Sequence, residues 1–143
     1  MSDQILHTND FRLSYGECDP AGIVYYAAYY PWFERTFNEW NFLNGFEPGE
    51  LHELWGATYV SRASSCEYLI PGRLFDPFTC EMRLGGVGRT SYSMRYDVVH
   101  RENGDTYATG KMTFVFIDAA FPPSPVAVPE RFKQELRARG YDI

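Results

Sequence analysis

The stretch "YGECDPAGIVYYAAYYPWFERTFNEW", residues 15–40, decides the fold, because two different patterns meet inside it. Its second half repeats aromatic residues at steps of four and three, the spacing that lines one face of an α-helix. These residues are Tyr26, Tyr30, Phe33, Phe37 and Trp40. Proline is tolerated in the first turn of a helix and breaks its interior, so Pro31 predicts a helix start at about residue 27 or 28. Gly45 is the expected end.

The segments on either side of this helix have the patterns of a sheet. Upstream, "FRLSYGE" at residues 11–17 alternates apolar and polar positions, as a half-buried strand does. Downstream, after a stretch at residues 47–56 that is typical of a short helix, four long segments have β composition. They are residues 57–70, 78–88, 89–104 and 105–118, with Asn103-Gly104 as the hairpin turn between the last two. Prolines then end the sheet, and residues 130–139 predict a short charged helix.

Together these elements predict an α+β domain in which one long central helix packs on one face of an antiparallel sheet of about five strands. A chain of 143 residues with 45% hydrophobic content supplies the core of one domain, so we expect residues 1–143 to form a single unit. A sheet of one layer leaves its edges and its other face in need of cover. Pairing with a second copy of the chain is the expected solution.

Composition and charge exclude several classes of protein. The formal net charge of −6 argues against a general nucleic-acid binder, which needs a basic surface. The N-terminus lacks a signal-peptide pattern and no apolar run reaches spanning length, so we expect a cytoplasmic chain without a membrane segment. The three cysteines and three histidines form neither C-x-x-C nor H-x-x-H patterns, so we expect no disulfide framework and assign no metal.

Asp19 can be interpreted in two ways. An Asp-Pro pair often caps a helix, with the carboxylate accepting an unpaired N–H and Pro20 in the first helical position. A helix that begins only near residue 27 leaves Asp19 too far upstream for that role, and Gly22 allows the intervening loop to turn. The unpaired N–H groups at the helix start could instead polarise a carbonyl while Asp19 attacks it or activates water. This combination is typical of acyl transfer or hydrolysis.

The quoted stretch resembles the signature of hot-dog-fold acyl-CoA thioesterases, specifically of the 4-hydroxybenzoyl-CoA thioesterase family. The likeness is close over the "DPAGIV" loop and the helix, and looser over the later strands. It implies a hot-dog fold, a long helix wrapped by a curved antiparallel sheet, and hydrolysis of an acyl-CoA thioester without a cofactor. It also implies a homodimer with its active site at the interface, often assembled further into a homotetramer.

The resemblance assigns roles to particular residues. It places the catalytic carboxylate at Asp19 and the amide that polarises the thioester carbonyl at Tyr26, which would act through its backbone N–H. Related thioesterases of the Tol-Pal cluster typically carry a histidine where this chain has Tyr26, so an aromatic acyl group is favoured over a short aliphatic one. Arg89, with Ser91 in "GRTSY", resembles the basic-serine segment expected to contact coenzyme A phosphates. The alternative interpretation is that Arg89 is only an exposed residue at the start of a strand.

Other residues complete or compete with this predicted site. Gly22, Tyr25 and Tyr29 are predicted to bind substrate, the tyrosines by lining an acyl pocket, although an aromatic stripe is usually core. Glu34 is a second candidate for the catalytic carboxylate, since some hot-dog enzymes use a helix glutamate. The alternative interpretation is that Glu34 forms a salt bridge. Cys18 is given no role because no histidine close in sequence activates it. A non-catalytic acyl-CoA-binding protein remains an alternative, as does a dehydratase, which is disfavoured because the motif lacks a histidine.

Overall fold

The computed structural model describes residues 3–46, 51, 53 and 55–143, which contain a five-stranded sheet with helices against it. The strands are β1 (Ile5–Arg12), β2 (Thr58–Tyr68), β3 (Pro77–Val87), β4 (Ser91–His100) and β5 (Thr106–Ile117). The helices are α1 (Tyr30–Leu43), which precedes β2, and α2 (Glu130–Ala138), which follows β5. No helix in the described ranges is both long and apolar enough to cross a membrane.

The strands pair antiparallel throughout, in the order β1-β3-β4-β5-β2. β3, β4 and β5 form a meander, and residues 101–105 connect the last two strands around Asn103-Gly104, as predicted. The predicted β segments and the short helix near the C-terminus also agree with the observed elements. The α+β class and the five antiparallel strands are therefore confirmed, and the architecture is consistent with a hot-dog fold.

Aromatic side chains of α1 pack on the sheet because they repeat with the helical period. Phe33 stacks on Tyr96 of β4 with ring centroids 4.7 Å apart, and Phe37 stacks on Phe114 of β5 at 4.2 Å. Gly110 of β5 makes the close approach possible, since a Cβ built there would lie 2.3 Å from the Phe33 ring. α1 thus lies along the sheet, and its 14 residues span about 21 Å.

The predicted strand at residues 11–17 is wrong over most of its length. β1 ends at Arg12, and the chain then leaves the sheet through a 3₁₀ turn at Tyr15–Glu17. The reason is local, because the backbone N–H and the hydroxyl of Ser14 both donate to the Glu17 carboxylate at 3.0 Å. These bonds close a turn that an alternating pattern does not show. The predicted helix at residues 47–56 falls mostly on residues outside the described ranges.

The start of α1 is also later than predicted. Residues 26–29 form a turn in which the N–H of Ala28 donates to the carbonyl of Tyr25 at 2.9 Å, and the helix begins at Tyr30. The helical spacing of the aromatic residues is lost within this turn. The buried stripe therefore continues back to Tyr29, which is fully buried, and not to Tyr26, which is 67% exposed.

The edge strand β2 exposes most of its side chains, with residues 60–65 exposed without a break. It pairs with β5 along one side only, and within the described part of the chain no strand pairs with its other side. An exposed edge of this kind is a template for pairing with another chain. The homodimer stays a prediction, with β2 as the edge that it would use.

Candidate active site in the Asp19 loop

Asp19 lies in a tight loop that its own carboxylate stabilises. Oδ1 accepts hydrogen bonds from the N–H of Ala21 at 2.8 Å and of Ile23 at 3.3 Å. The Asp19 carbonyl accepts the N–H of Gly22 at 2.9 Å, and Gly22 has a φ of +75°, which glycine adopts without strain. Asp19 therefore caps its own loop and not α1. Its side chain is exposed, and Oδ2 has no hydrogen-bond partner among the described residues.

The loop is anchored to the segment that leads into β3. The N–H of Val24 donates to the Gly72 carbonyl at 2.8 Å. Asp76 holds this segment in turn, because one carboxylate oxygen accepts the N–H of Arg73 at 2.8 Å and the other lies 3.5 Å from Nε2 of the buried His100. The Asp19 loop therefore rests on a fixed part of the fold, at the N-terminal end of β3.

Tyr26 lies in the turn that leads into α1, and the fold does not use its backbone N–H. Neither Tyr26 nor Ala27 has an acceptor for its N–H among the residues that the structure describes. The ring of Tyr26 lies 4.5 Å from that of Tyr25, and the hydrogen bond between their side chains raises the pKa of Tyr25 above its ordinary value. The predicted amide is thus free, although it belongs to the turn before the helix.

Tyr29, predicted to contact substrate, is fully buried in the core. Burial, with smaller effects from neighbouring acidic groups, raises the pKa of its hydroxyl. Its ring packs near that of Tyr68, with centroids 6.2 Å apart. In the single chain, Tyr29 can therefore affect a surface ligand only through residues such as Tyr68.

An apolar cavity of about 250 Å³ opens beside the Asp19 loop. It is lined by Ile23, Val24, Tyr26, Tyr68 and Pro71. The Tyr68 hydroxyl is neutral at physiological pH, as an ordinary tyrosine is, and partial burial together with the neighbouring Cys66 raises its pKa further. The cavity wall is therefore uncharged and partly aromatic.

Arg89 and Ser91 lie at the opposite end of β3 from the Asp19 loop. β3 has 11 residues, and an extended strand of that length separates its ends by about 33 Å. The Arg89 side chain is exposed and has no ion pair within the described ranges. Within one chain, these two residues do not meet the Asp19 loop.

The two competing residues have different surroundings. Glu34 is exposed on α1, borders two surface cavities and forms no salt bridge with any described residue. Cys18 is half-buried, and burial together with the charges of Glu17, Asp19 and Asp76 raises the pKa of its thiol. The nucleophilic thiolate is therefore disfavoured at Cys18.

Glu17 has no predicted role, yet both of its carboxylate oxygens are engaged. Oε1 accepts the two hydrogen bonds from Ser14, and Oε2 accepts the indole N–H of Trp32 at 2.5 Å. The spacing Ser-x-x-Glu is the capping-box pattern, and it is the sequence signal that could have identified Glu17.

The arrangement supplies two groups that acyl transfer to water requires. One is the Asp19 carboxylate oxygen that has no partner among the described residues, and the other is the Tyr26 N–H, which has no acceptor there either. Within the described part of the chain, no group of three or more histidine, cysteine or acidic side chains could hold a metal ion.

Solved structures share this fold. A 1,4-dihydroxy-2-naphthoyl-CoA thioesterase from Synechocystis has a TM-score of 0.81 at 12% identity, covering 95% of this chain and 98% of its own. A gentisyl-coenzyme A thioesterase has a TM-score of 0.72 at 21% identity, covering 88% and 98%. A mutant 4-hydroxybenzoyl CoA thioesterase, complexed with 4-hydroxybenzoyl CoA, has a TM-score of 0.76 at 21% identity, covering 89% and 95%. No curated protein matches the sequence.

These likenesses and the observed sheet and helix show that the chain shares the fold of these proteins. The model of the thioesterase-like superfamily matches residues 13–136, most of the chain, and the chain belongs to that superfamily. The predicted enzyme class, an acyl-CoA thioester hydrolase, agrees with this membership.

Proposed function

We propose that the chain hydrolyses an aromatic acyl-CoA, similar to 4-hydroxybenzoyl-CoA, to the free acid and coenzyme A without a metal or other cofactor. One observation carries the proposal: among the described residues, an Asp19 oxygen has no hydrogen-bond partner and the N–H of Tyr26, in the turn that follows the Asp19 loop, has no acceptor. A nucleophile or base needs a lone pair that the fold does not use, and an oxyanion needs donors that the fold does not use. Aromatic acyl-CoA thioesterases among the proteins of this fold support the choice of substrate.

Asp19 acts on the thioester carbonyl through Oδ2, by one of two routes. As a nucleophile, it forms a C–O bond, the C–S bond breaks, coenzyme A leaves as the thiolate, and water hydrolyses the mixed anhydride. As a base, it takes a proton from water, whose oxygen attacks before the same C–S bond breaks. Label from isotopically labelled water can enter Asp19 in a single turnover on the first route only, when water attacks the Asp19 carbonyl of the anhydride.

The carbonyl oxygen gains negative charge on either route. In the proposed mechanism the N–H groups of Tyr26 and Ala27 stabilise it, since neither donates to an acceptor within the described part of the chain. Backbone donors of this kind are fixed before the reaction begins, so they need little reorganisation. The role belongs to the main chain, and the Tyr26 ring is left to contact the acyl group.

The acyl group occupies the cavity beside the loop. Tyr26 and Tyr68 present aromatic rings to it, and a flat aromatic acyl group can pack against both. A short aliphatic acyl group, as used by thioesterases of the Tol-Pal-associated type, would cover less of this lining and is the alternative substrate. Direct comparison of the two substrate types decides between them.

Arg89 and Ser91 belong to this function if a second copy of the chain brings them to the Asp19 loop. The exposed β2 edge offers a surface for such pairing, and the Arg89 guanidinium, which has no ion pair with any described residue, suits a coenzyme A phosphate. A homodimer, assembled further into a homotetramer, is therefore part of the proposal. A cytoplasmic location is proposed as well, in agreement with the free thiols of Cys18, Cys66 and Cys80.

Thiol release from a panel of acyl-CoAs tests the proposal. The panel contains benzoyl, 4-hydroxybenzoyl, phenylacetyl and short aliphatic thioesters, and wild type is compared with Asp19→Asn. Preferential hydrolysis of the aromatic members, lost in a folded Asp19→Asn variant, is the expected result. Preference for the aliphatic members would move the substrate to the alternative class.

Glu34→Gln is the matched control, because it removes the other candidate carboxylate. A loss of turnover in Glu34→Gln with an active Asp19→Asn variant would transfer the catalytic role to Glu34. If wild type binds acyl-CoA and releases no thiol from any of them, the chain is an acyl-CoA-binding protein.

A further inference from the structure

Glu17 connects two parts of the candidate site that are distant in sequence. Its side chain accepts the indole N–H of Trp32, in the first turn of α1, at 2.5 Å. Its backbone carbonyl accepts the N–H of Tyr25 at 2.7 Å, on the return side of the Asp19 loop. Glu17 thus bonds to the helix with its side chain and to the residue before Tyr26 with its main chain.

These bonds lie where the Asp19 loop begins and ends. Cys18, next to Glu17, forms an isolated antiparallel bridge with Val24, next to Tyr25. The loop that carries Asp19 is closed at this bridge. A shift of Glu17 would therefore move the two ends of the loop relative to α1.

Trp32 is a firm attachment point. Its ring stacks on Phe11 of β1 with centroids 4.3 Å apart and planes 12° from parallel, and the guanidinium of Arg35 lies 4.5 Å from its centroid. The indole can donate only through Nε1, so the hydrogen bond fixes the direction from which Glu17 approaches. A charged acceptor makes such a bond stronger than a neutral one.

Glu17 itself is poorly suited to act on substrate. Both of its oxygens are occupied, Oε1 by Ser14 and Oε2 by Trp32. Asp19, two residues later, keeps Oδ2 without a described partner. The two carboxylates are therefore used differently, one for structure and one for chemistry.

We propose that Glu17 is a positioning residue, which sets the placement of the Asp19 carboxylate relative to the free N–H of Tyr26 by tying the loop to α1 through Trp32. This proposal rests on the proposed function. Small displacements of reacting groups lower turnover strongly, even when substrate binding is unchanged. Loss of the Glu17–Trp32 bond should therefore lower kcat much more than it changes KM.

A double-mutant cycle tests this proposal. Glu17→Ala should lower kcat about 30-fold and Trp32→Phe, which removes the indole donor, about 10-fold, with KM within about two-fold. Because both variants break one bond, the double variant should lose about 30-fold and not the product of about 300-fold. Glu17→Gln keeps one acceptor oxygen and should retain more kcat than Glu17→Ala. Independent losses that multiply, or an unchanged kcat, would overturn the proposal.

Phe11→Leu is the matched structural control. It disturbs the stacking on Trp32 and leaves the indole donor and Glu17 in place. We expect a lower Tm with kcat within about two-fold at 25 °C. If Glu17→Ala behaves in the same way, with a lower Tm and normal kcat, Glu17 only stabilises the fold.

Amide hydrogen exchange separates failure of this proposal from failure of the proposed function. If wild type releases no thiol, the proposed function is wrong, and loop positioning is then measured by exchange of the amides of residues 21–25. Faster exchange there in both Glu17→Ala and Trp32→Phe, with unchanged exchange in β4, supports the positioning role. Unchanged exchange of the loop amides would reject it.

Discussion

The two ends of β3 carry different parts of the predicted site, and they are built differently. At the N-terminal end, the Asp19 loop is held by its own hydrogen bonds and by bonds to the segment at residues 72–76. At the C-terminal end, Arg89 extends from a turn and has no described ion-pair partner. A rigid loop suits catalysis, because the reacting groups must be held in exact positions. A flexible cationic side chain suits phosphate binding, because it can reach the phosphate over a wider range of positions. The contrast suggests catalysis at one end and coenzyme binding at the other.

The largest effect should come from the N-terminal end of β3, which is the proposed catalytic end. Asp19→Asn keeps the shape of the side chain and removes its charge, so neither attack nor proton abstraction remains efficient. We expect kcat to fall about 1,000-fold or more, with KM changed by less than about three-fold. Steady-state kinetics with the best substrate of the panel measures both constants.

Circular dichroism and size-exclusion chromatography must show that Asp19→Asn is folded and assembled as wild type. An asparagine oxygen can still accept the N–H bonds of Ala21 and Ile23, so the loop should keep its conformation. A folded variant with nearly normal kcat would remove Asp19 from the mechanism.

At the other end of β3, Arg89→Ala should act on binding. We expect KM for an acyl-CoA to rise about 10-fold with little change in kcat, because a charge-assisted contact to phosphate is lost. The same acyl group on a short pantetheine-like thiol lacks the nucleotide phosphates. Its hydrolysis should be equally fast in wild type and variant.

Arg73→Ala is the matched control for charge, since Arg73 is an exposed cation beside the Asp19 loop. Its KM for acyl-CoA should rise less than about two-fold. A larger increase than that of Arg89→Ala would reverse the comparison and place the coenzyme phosphates at the catalytic end of β3.

Mixing inactive and weakened subunits tests whether the two ends meet across an interface. In a heterodimer of Asp19→Asn with Arg89→Ala, one of the two shared sites would contain both wild-type residues. At low substrate concentration, subunit exchange between equal amounts of the two variants should restore about a quarter of wild-type activity. This is about five-fold above the mean activity of the two variants measured separately. Activity that stays at this mean would show either that each active site is formed within one chain or that Arg89 is not part of it.

Local sequence patterns predicted most of the fold. The helical stripe of Phe33, Phe37 and Trp40 is buried, and the strands have the composition that a sheet requires. The errors lie where side-chain hydrogen bonds or short turns interrupt a period. The Ser14–Glu17 bonds end β1 early, and the turn at residues 26–29 delays α1.

The candidate site was less predictable, because it depends on long-range pairing. The Asp19 loop is encoded in consecutive residues, and its internal hydrogen bonds are local. The separation of Arg89 from this loop follows from β3 as a whole, and no short motif carries that information. Burial of Tyr29 similarly depends on where α1 begins, and the start predicted from the sequence was too early.

Tyr26→Phe should have the smallest effect, because the proposed role of Tyr26 uses the backbone N–H and the substitution leaves it unchanged. We expect kcat within about two-fold of wild type, in contrast to the loss in Asp19→Asn. The hydrogen bond to Tyr26 raises the pKa of Tyr25, so its removal should let the pKa of Tyr25 fall toward the ordinary value for tyrosine. Ultraviolet titration at alkaline pH measures this shift and confirms that the bond was lost. A large loss of kcat together with that shift would give the Tyr26 hydroxyl a part in the chemistry, and the catalytic end of β3 would then depend on a side chain as well as on the main chain.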